Sequence, residues 1–523
     1  MISERERFLQ CTPDFCERVY LQATQSEKTK LLEGARERAQ ELDCLDEFNE
    51  RFSAKLREES KLKHLTILDP LSYGYNDRGT SELFAKLYRD ELRYSTTAKE
   101  WYHYNGILWM KDGDGMAAHS LAKEFFDLLI RHSISITDED ERQQFYTYYI
   151  RYGSKNKRDV LIKDSKDCLC ISGEEFDSDV NLLNFRNGTL ELERLRFREH
   201  SPDDLITKMC NADYNKAAKS ELWERFISDV LPHDKEKQRF LQKALGYALT
   251  GRADLERLFI LYGATTRNGK STLLSTVGYA LGDYAANTPP ETLAMRKKDS
   301  RNASEDLARL AGVRFLNVSE PPQSMAFDVA LVKSLTGGDT ITARRLFENS
   351  FEFVPQFAIF INTNYLPRVV DDSLFTSNRV NVITFERHFE TSEQDITLKQ
   401  KLRSPENISA VVNWMIQGLE LYRKEGLFLP LSVGMATREY AQNSDKFQLF
   451  LDECLEEDSS GTITAKDVYN CYREWCSSNG YFAEGKVKFM DMLRKRNLLY
   501  PTGTINGKTA FNVINGYILT NNS

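Results

Sequence analysis

The chain has 523 residues, which is too many for one hydrophobic core, so three or four domains are expected. Hydrophobic residues make up 41% of the chain, a share that suits globular packing, and the formal net charge of -8 excludes a protein coated in basic residues. Any binding of nucleic acid must therefore be concentrated in a channel or in one small domain.

No membrane or targeting segment is predicted. The longest apolar run, FAIFI at 357–361, is far shorter than the ~20 residues that a membrane span needs. The first residues, MISERERFLQ, are charged from the fourth position and lack the apolar region of a signal peptide. The 9 cysteines include no C-x-x-C pair and histidines number only 7, so we expect no structural zinc site and reduced thiols in an intracellular protein.

The first 205 residues divide into a helical region and a mixed region. Residues 1–65 are predicted to be a helical N-terminal region, because they are rich in Glu, Lys, Arg, Gln and Leu and nearly free of Gly and Pro. Residues 66–205 are predicted to be an α/β domain. It includes two short strands around the Asn105-Gly106 turn, and a second Asn-Gly turn followed by alternating leucines within 181–200.

The rest of the chain contains a predicted parallel α/β core with helical segments before and after it. Residues 206–250 read as an amphipathic helical collar, and residues 251–388 alternate apolar strands with helical stretches, the pattern of a parallel sheet. Residues 389–440 are predicted to be a helical tail. Residues 441–523 are predicted to form three helices and then two short strands, the order of a winged-helix-like domain.

The tetrapeptide Asn-Gly-Lys-Ser lies in a context that predicts a phosphate-binding loop. It follows RLFILYG, an apolar strand ending in glycine, and it opens the predicted helix KSTLLSTVGYALG. Lys270 can then reach the β- and γ-phosphates, and the Ser271 hydroxyl can bind Mg²⁺. The predicted ATP-binding residues are Gly263, Ala264, Thr265, Thr266, Arg267, Asn268, Gly269, Lys270, Ser271 and Thr272.

A second copy, Asn-Gly-Lys-Thr, lies near the C-terminus in a different context. Strand-like residues flank it and no helix follows, so Asn506-Gly507 is predicted to be a hairpin turn with Lys508 exposed beside it. The first copy also departs from the strict loop pattern, which requires glycine where this chain has Ala264. The alternative interpretation of the first copy is a chance Gly-Lys-Ser in a turn.

Three polar residues next to later predicted strands are candidates for the rest of an ATPase site. Glu320, after the strand in VRFLNVSEPP, can activate the attacking water and help to hold Mg²⁺, or it is a surface glutamate. Asn364, in FAIFINTNYLP, can sense the γ-phosphate or belongs to a plain turn. Arg379, in SNRVNVITF, is an arginine finger or a surface arginine, and Arg368 and Arg387 are the next candidates for a finger.

Positive charge is concentrated in two places that can contact DNA. The first is the predicted hairpin in TITARRLFENSFEFVP and the segment before it, with Lys333, Arg344 and Arg345. The second is the predicted helix KVKFMDMLRKRN and the hairpin after it, with Lys486, Lys488, Arg494, Lys495, Arg496 and Lys508. A basic helix is often only a solvated face, so a protein-docking role is the alternative for this second group.

The motifs, in this order, resemble those of superfamily 3 helicases. The carriers of the resemblance are YGATTRNGKST, RFLNVSEP, VKSLTGGDTITARRL, FINTNYLP and then Arg379, and the most similar branch is that of phages, plasmids and poxviruses, which often carries a primase. The segments WYHYNGILWMKDG, LLNFRNGTLELE and FLQKALGYALTG look like the domain that precedes the motor there. The segments NISAVVNWMIQGLELYRKEGLFLP and DKFQLFLDECLEED look like its helical tail and its small C-terminal domain.

The resemblance implies a multidomain α/β protein with an AAA+ P-loop ATPase core. It implies a ring, usually a hexamer, that translocates on single-stranded DNA, separates strands and acts in the host-cell cytoplasm with ATP and Mg²⁺ as cofactors. By position, Lys270 and Ser271 bind the nucleotide and Mg²⁺. Glu320 is then the acidic catalytic residue, Asn364 is the sensor, and Arg379 is a finger that reaches a neighbouring subunit's ATP.

Some positions depart from the family pattern. Ser319 stands where a second acid often precedes the catalytic glutamate, so metal contact rests on Ser271 and Glu320. The hairpin near 344–350, which the resemblance assigns to the central channel, carries Glu348-Asn349 at its expected tip in place of a lysine. The chain shows no zinc-ligand cluster and no polymerase-type carboxylate site, so we expect these residues to include no primase domain.

Three functional hypotheses follow from these observations. The first is an ATP-dependent replicative helicase of a phage, plasmid or other mobile element, with single-stranded and forked DNA as partners and a separate primase or other replication proteins beside it. The second is an AAA+ initiator or loader that binds and melts origin DNA without processive unwinding. The third is a DNA-binding scaffold with an inactive ATPase, which the intact Lys270, Ser271 and Glu320 disfavour.

Overall fold

The chain forms two compact units in a computed structural model. The first comprises Met1–Asp179 and Glu199–Lys208, and the second comprises Val180–Arg198 and Met209–Ser523. The structure describes residues 3–295, 303–323, 325–344, 350–369, 371, 373–479, 481, 483–505 and 507–520. Within these stretches, no helix combines the length and the apolar character that crossing a bilayer requires.

The first unit begins with helices and continues as a mixed α/β structure. A π-helical stretch at Phe15–Tyr20 follows the first helix, and Phe48 and Phe52 of the third helix pack with Leu9 and Cys16 in a small core. The helices in residues 3–65 agree with the composition rich in Glu, Lys, Arg, Gln and Leu that predicted a helical region there. The helices are α1 Glu4–Asp14, α2 Gln25–Glu41, α3 Leu45–Leu68, α4 Asp77–Tyr88, α5 Met116–Ser133, α6 Glu139–Tyr149 and α7 Lys155–Asp164.

A four-stranded sheet completes the first unit. Its strands are β1 Leu92–Ser95, β2 Glu100–Tyr104, β3 Trp109–Asp112 and β4 Cys170–Ile171, in the order β3-β2-β1-β4. The predicted hairpin around Asn105-Gly106 is confirmed, because β2 and β3 pair antiparallel with Tyr104 opposite Trp109. The Asn105 side chain accepts hydrogen bonds from the amides of Ile107 and Leu108, which closes the turn.

The second unit begins with a small antiparallel sheet that the sequence assigned to the preceding domain. Its strands are β5 Leu182–Phe185, β6 Gly188–Glu191 and β7 Arg196–Arg198. Leu183, Phe185 and Leu190 of this sheet share one core with residues of the central sheet, such as Phe259 and Phe360. The expected boundary after residue 205 therefore differs from the observed division, in which residues 180–198 belong to the second unit.

A five-stranded parallel sheet is the centre of the second unit. The strands are β8 Leu258–Tyr262, β9 Ala285–Thr288, β10 Phe315–Val318, β13 Ala358–Thr363 and β14 Val380–Thr384, in the order β14-β8-β13-β10-β9. All of these pairings are parallel, as the alternation of strands and helical stretches predicted. Successive residues of β8 face opposite cores, Leu258 and Ile260 on one side and Phe259 and Leu261 on the other, so the sheet is buried on both faces.

Helices and a hairpin cover the two faces of this sheet. The hairpin consists of β11 Ile341–Arg344 and β12 Ser350–Phe353, paired antiparallel. The helices are α8 Glu221–Val230, α9 Lys235–Ala248, α10 Lys270–Leu281, α11 Ala303–Ala308, α12 Val329–Gly337, α13 Ser373–Thr376, α14 Leu398–Leu402, α15 Pro405–Glu425 and α16 Leu431–Ser444.

Helices α9 and α15 approach each other closely at two glycines. A Cβ atom built on Gly418 would lie 2.1 Å from the carbonyl oxygen of Gln242, and one built on Gly246 would lie 2.2 Å from the amide nitrogen of Leu419. No side chain larger than hydrogen fits at either position without moving the backbone. The two helices that flank the parallel sheet in sequence are therefore held together backbone to backbone.

The C-terminal segment has its own hydrophobic core around Phe450, Tyr472 and Phe489. Its elements are α17 Lys446–Cys454, β15 Leu455–Thr464, α18 Ala465–Ser478, α19 Lys486–Lys495, β16 Tyr500–Ile505 and β17 Lys508–Leu519. The expected three helices and terminal hairpin are present, but the sequence analysis missed β15, which pairs antiparallel with β17 and makes a three-stranded sheet.

Candidate nucleotide-binding site

The loop between β8 and α10 has the close packing of a phosphate-binding loop. A Cβ atom on Gly263 would lie 2.7 Å from the backbone carbonyl oxygen of Phe385 and 2.2 Å from Asn268 Nδ2, so the close backbone requires glycine here although it precedes the position of the strict pattern. Gly269 has φ of +86° and starts α10 without a side-chain cap. The Asn268 side chain donates to the carbonyl oxygen of Thr265 at 2.6 Å, and this hydrogen bond connects two backbone positions of the loop.

Lys270 is the buried cation of this loop. Its side chain is 2% exposed, and its Nζ donates to Asn268 Oδ1 at 2.9 Å and to Asn364 Oδ1 at 2.8 Å. Burial lowers the pKa of Lys270 to about 8, and the negative charge of Glu320 opposes that shift. The structure thus brings Lys270 and Asn364, which are 94 residues apart in sequence, into direct contact.

The parallel register explains this contact. Thr363 at the end of β13 pairs with Tyr262 at the end of β8. The residues that follow both strands therefore meet at one edge of the sheet, the edge formed by the carboxyl ends of the strands. Val318 of β10 pairs with Ile361, so Glu320 follows a third strand at the same edge. The Glu320 side chain is exposed, and its charge acts on Lys270.

Ser271 has a partner that the sequence analysis did not choose. Asn362 Nδ2 donates to Ser271 Oγ at 2.9 Å. Asn362 lies two residues before Asn364 in FAIFINTNYLP, and only Asn364 is a candidate from the sequence. A polar residue within an otherwise apolar strand was the available signal, because a buried amide requires partners.

Oxygen donors at this edge suit Mg²⁺, which binds through few protein ligands and completes its shell with phosphate and water. The Ser271 hydroxyl and the Glu320 carboxylate are exposed beside the loop, and Asn362 adds an amide oxygen. In the described part of the chain, no cluster of three or more His, Cys, Asp or Glu side chains forms an all-protein metal site.

Residues after β14 hold the outer side of the loop. His388 Nδ1 lies 2.8 Å from the carbonyl oxygen of Thr266, and the amide of Phe389 donates to the carbonyl oxygen of Arg267 at 2.9 Å. Arg387, one of the alternative finger residues, pairs with Glu393 at 3.0 Å and covers the Phe389 ring. Arg387 therefore lies on the same edge as the phosphate loop of its own chain.

Arg379 lies at the edge of the sheet formed by the amino ends of the strands, opposite to the edge that carries the phosphate loop. It immediately precedes β14, and Val380 pairs with Leu258, the first residue of β8. At about 3.3 Å per residue, the length of β8 separates the two edges by roughly 15–20 Å. The Arg379 side chain is 11% exposed and is held by Glu256 at 2.6 Å and by Thr336 Oγ1 at 2.8 Å.

The first group of candidate DNA contacts is only partly described. Lys333 lies on α12 and is half-buried, and Arg344 is exposed at the end of β11. Arg345 and the expected hairpin tip, Glu348-Asn349, lie outside the described residues. Arg368, the other alternative finger residue, lies over the ring of Tyr481 at 5.5 Å.

The second group separates into exposed residues and the half-buried Arg496. Arg496 pairs with Asp445 and covers the Phe447 ring at 4.8 Å, so it supports the start of α17. Lys508 lies on the terminal hairpin opposite Ile505, in the place expected for the second Asn-Gly-Lys copy. The exposed members are Lys486, Lys488, Arg494, Lys495 and Lys508.

Three family models match separate parts of the chain. Residues 81–232 match the model described as "D5 N terminal like", and residues 442–509 match "Poxvirus D5 protein-like". Residues 261–379, which contain the phosphate loop, match a family of unknown function. The chain is thus similar to the D5 N-terminal-like family over one segment and to the poxvirus D5-like family over another.

Among curated proteins, several viral relatives are similar to this chain. A protein of Acanthamoeba polyphaga mimivirus named "Putative helicase" is 31% identical over 422 residues, which is 72% of this chain and 43% of the relative. A protein of Frog virus 3, also named a putative helicase, is 29% identical over 53% of this chain and 30% of the relative. A third, from Invertebrate iridescent virus 3, is 22% identical over 82% of this chain and 53% of the relative. The chain therefore spans about half or less of the length of these relatives.

Among solved structures, the NrS-1 C terminal region is similar to this chain at low identity. One apo form is 12% identical with a TM-score of 0.47, and the comparison covers 82% of this chain and 96% of that one. A second apo form is 11% identical with a TM-score of 0.48 and the same coverage.

Proposed function

We propose that the chain is an ATP-hydrolysing DNA helicase of the superfamily 3 type, with an AAA+ core and a winged-helix-like C-terminal domain. The observation that carries the proposal is the contact of Lys270 Nζ with Asn364 Oδ1 at 2.8 Å, which joins a phosphate-type loop to the polar end of the neighbouring strand. The helicase names of the viral relatives and the D5-like domain matches support the same function.

In this proposal, Lys270, Glu320 and Asn364 each have a separate role in ATP hydrolysis. Lys270 exchanges its two amide partners for phosphate oxygens and neutralises charge as it develops on the γ-phosphoryl group. The exposed carboxylate of Glu320 accepts the proton of the attacking water. Asn364, released from Lys270, orients that water or the γ-phosphate, and Mg²⁺ bound by Ser271 and Glu320 would neutralise the phosphates.

Arg379 would act on the ATP of a neighbouring subunit. The opposite position of Arg379 on the sheet rules out contact with its own phosphate loop in this conformation. A heterologous interface that joins one edge of the sheet to the other edge of the next copy would close into a ring, for which a homohexamer is the expected form. Arg379 would then stabilise the spreading negative charge bidentately.

The DNA contacts of this proposal lie on two elements. The β11–β12 hairpin, with Lys333 and Arg344 near it, would line the channel and follow single-stranded DNA. The exposed basic face of α19, with Lys508 on the hairpin, would contact duplex backbone. The basic face of α19 also favours the second candidate function, an initiator or loader that melts origin DNA.

A strand-displacement assay with matched ATPase measurements tests the proposal. Wild type should hydrolyse ATP faster with single-stranded DNA and separate a forked duplex, and Lys270→Ala should do neither. Hydrolysis with melting of a closed origin duplex but no displacement on forks would favour the initiator. Absence of hydrolysis under all of these conditions would refute both ATP-driven functions.

A further inference from the structure

Asn362 is a buried amide with only half of its hydrogen-bonding capacity used. It pairs with Leu261 within the central sheet, and its side chain is 8% exposed. Its Nδ2 donates to Ser271 Oγ at 2.9 Å, whereas its Oδ1 accepts no hydrogen bond from the described residues. A buried carbonyl oxygen without a donor lowers stability, so the position favours a role other than packing.

Asn381, another buried asparagine of the same sheet, has the hydrogen bonds expected of a structural residue. Asn381 of β14 is 0% exposed, and its Nδ2 donates to the carbonyl oxygen of Arg379 at 2.9 Å. Its Oδ1 accepts from Arg257 Nη1 at 3.2 Å. Both halves of the Asn381 amide are therefore satisfied by the protein, whereas only the Nδ2 half of the Asn362 amide is.

The hydrogen bond from Asn362 restricts the orientation of the Ser271 hydroxyl. A serine hydroxyl has one proton and two lone pairs. One lone pair receives the Nδ2 proton of Asn362, which leaves the other lone pair for a cation and the hydroxyl proton for a further acceptor.

We propose that Asn362 is a positioning residue for Mg²⁺. The Nδ2 of Asn362 holds the Ser271 hydroxyl, and the Oδ1 of Asn362 accepts a hydrogen bond from a water of the metal's shell. The inference rests on the proposed function, because Mg²⁺ enters this site with the nucleotide. Oxygen acceptors that orient ligands or bound water around a metal are worth about 10- to 100-fold in metal affinity.

Binding of a fluorescent ADP to the full chain, with Mg²⁺ and with EDTA, tests this inference without hydrolysis. Asn362→Leu keeps the volume but removes both polar atoms, so it should reduce the Mg²⁺-dependent gain in affinity by about 10- to 100-fold and leave the EDTA affinity unchanged. Asn362→Asp keeps an acceptor, so its Mg²⁺-dependent gain should equal or exceed that of wild type. The control Asn381→Leu should leave the gain unchanged.

An unchanged Mg²⁺-dependent gain in Asn362→Leu would overturn the inference, and so would an equal loss in Asn362→Asp. Thermal melting of each variant identifies loss of fold, and the isosteric Asn362→Asp keeps the test decisive if Asn362→Leu does not fold. Failure of the proposed function would look different. Wild type would then not bind ADP with either Mg²⁺ or EDTA.

Discussion

At the scale of single residues, the two Asn-Gly-Lys copies separate into a buried and an exposed lysine. Lys270→Ala should reduce ATP hydrolysis to background, because it removes the cation that lies in the phosphate-type loop. Lys508→Ala, on the exposed terminal hairpin, should leave hydrolysis without DNA near the wild-type rate. A steady-state assay of both variants decides, and the reverse result would assign the phosphates to the hairpin.

The lowered pKa of Lys270 predicts a pH dependence of nucleotide binding. Its pKa is about 8 in the free site, and bound phosphates raise it because they favour the charged form. Binding should therefore take up about one proton above pH 8 and almost none at pH 7, so affinity should fall as pH rises past 8. Calorimetry in two buffers of different ionisation enthalpy measures the uptake.

The matched control for this pH effect is Lys270→Arg, which stays charged over the whole range. Its nucleotide affinity, although lower overall, should not change between pH 7 and 9. A wild-type affinity independent of pH over the same interval would contradict the assignment of a partly neutral Lys270 in the free site.

At the scale of elements, the close contact of α9 and α15 predicts a stability difference between two glycines. Gly418→Ala should lower the free energy of unfolding by about 1–3 kcal/mol, because the new methyl group meets the carbonyl oxygen of Gln242. Gly434 lies within α16, and a Cβ atom built on it would have no neighbouring atom within 4 Å. Gly434→Ala should therefore raise the free energy of unfolding by about 0.5–1 kcal/mol. Thermal melting of both variants checks the opposite signs.

The exposed face of α19 predicts a change in the salt dependence of DNA binding. Neutralising four exposed cations should flatten the slope of log K against log salt by up to about 3.5, since each phosphate contact contributes about 0.9. The test set is Lys486→Gln, Lys488→Gln, Arg494→Gln and Lys495→Gln. The control set, also exposed, is Lys216→Gln, Lys219→Gln, Lys399→Gln and Lys424→Gln.

Equal slopes for the test set, the control set and wild type would assign α19 to protein docking. Arg496 is left out of the test set, because its ion pair with Asp445 and its contact with Phe447 make a change there a change in folding as well.

The sequence predicted the elements whose signals are local. Apolar strands bounded by Gly263 and followed by a helical pattern were recognised, and so were the Asn-Gly turns. It did not predict β15, because LEEDSSGTIT is acidic and polar and lacks alternation. The grouping of residues 180–198 with the second unit depends on contacts distant in sequence, such as that of the Asn184 amide with the Tyr284 hydroxyl.

The candidate site shows the same limit. The identities of Lys270 and Asn364 were chosen from their strand ends, and the contact between them follows from the parallel register. The partners Asn362 and Glu256 had no periodic signal, because each is defined by a residue that is distant in sequence. The catalytic and DNA-binding roles themselves stay predictions.

At the scale of the whole molecule, the separation of Lys270 and Arg379 predicts complementation between variants. Arg379→Ala and Lys270→Ala should each abolish hydrolysis alone, the former with nucleotide binding intact, since fingers are worth about 10³- to 10⁵-fold in other phosphoryl-transfer systems. A mixture should recover part of the activity, because some interfaces join an intact loop to an intact arginine. Mixed assemblies that form but stay inactive would transfer the role to Arg368 or Arg387.

The ion pair between Arg379 and Glu256 gives this arrangement a further consequence. The side chain of Glu256 is 46% exposed and that of Arg379 is 11% exposed, so release of the arginine would leave the Glu256 carboxylate in contact with solvent. In the proposed mechanism, Arg379 of a lone chain stays paired with its own Glu256, and the phosphate loop of that chain lacks the finger that a neighbouring subunit would supply. Catalysis would be second order or higher in protein at low concentration, so the turnover per chain should vanish on dilution and reach a plateau once the chains are associated.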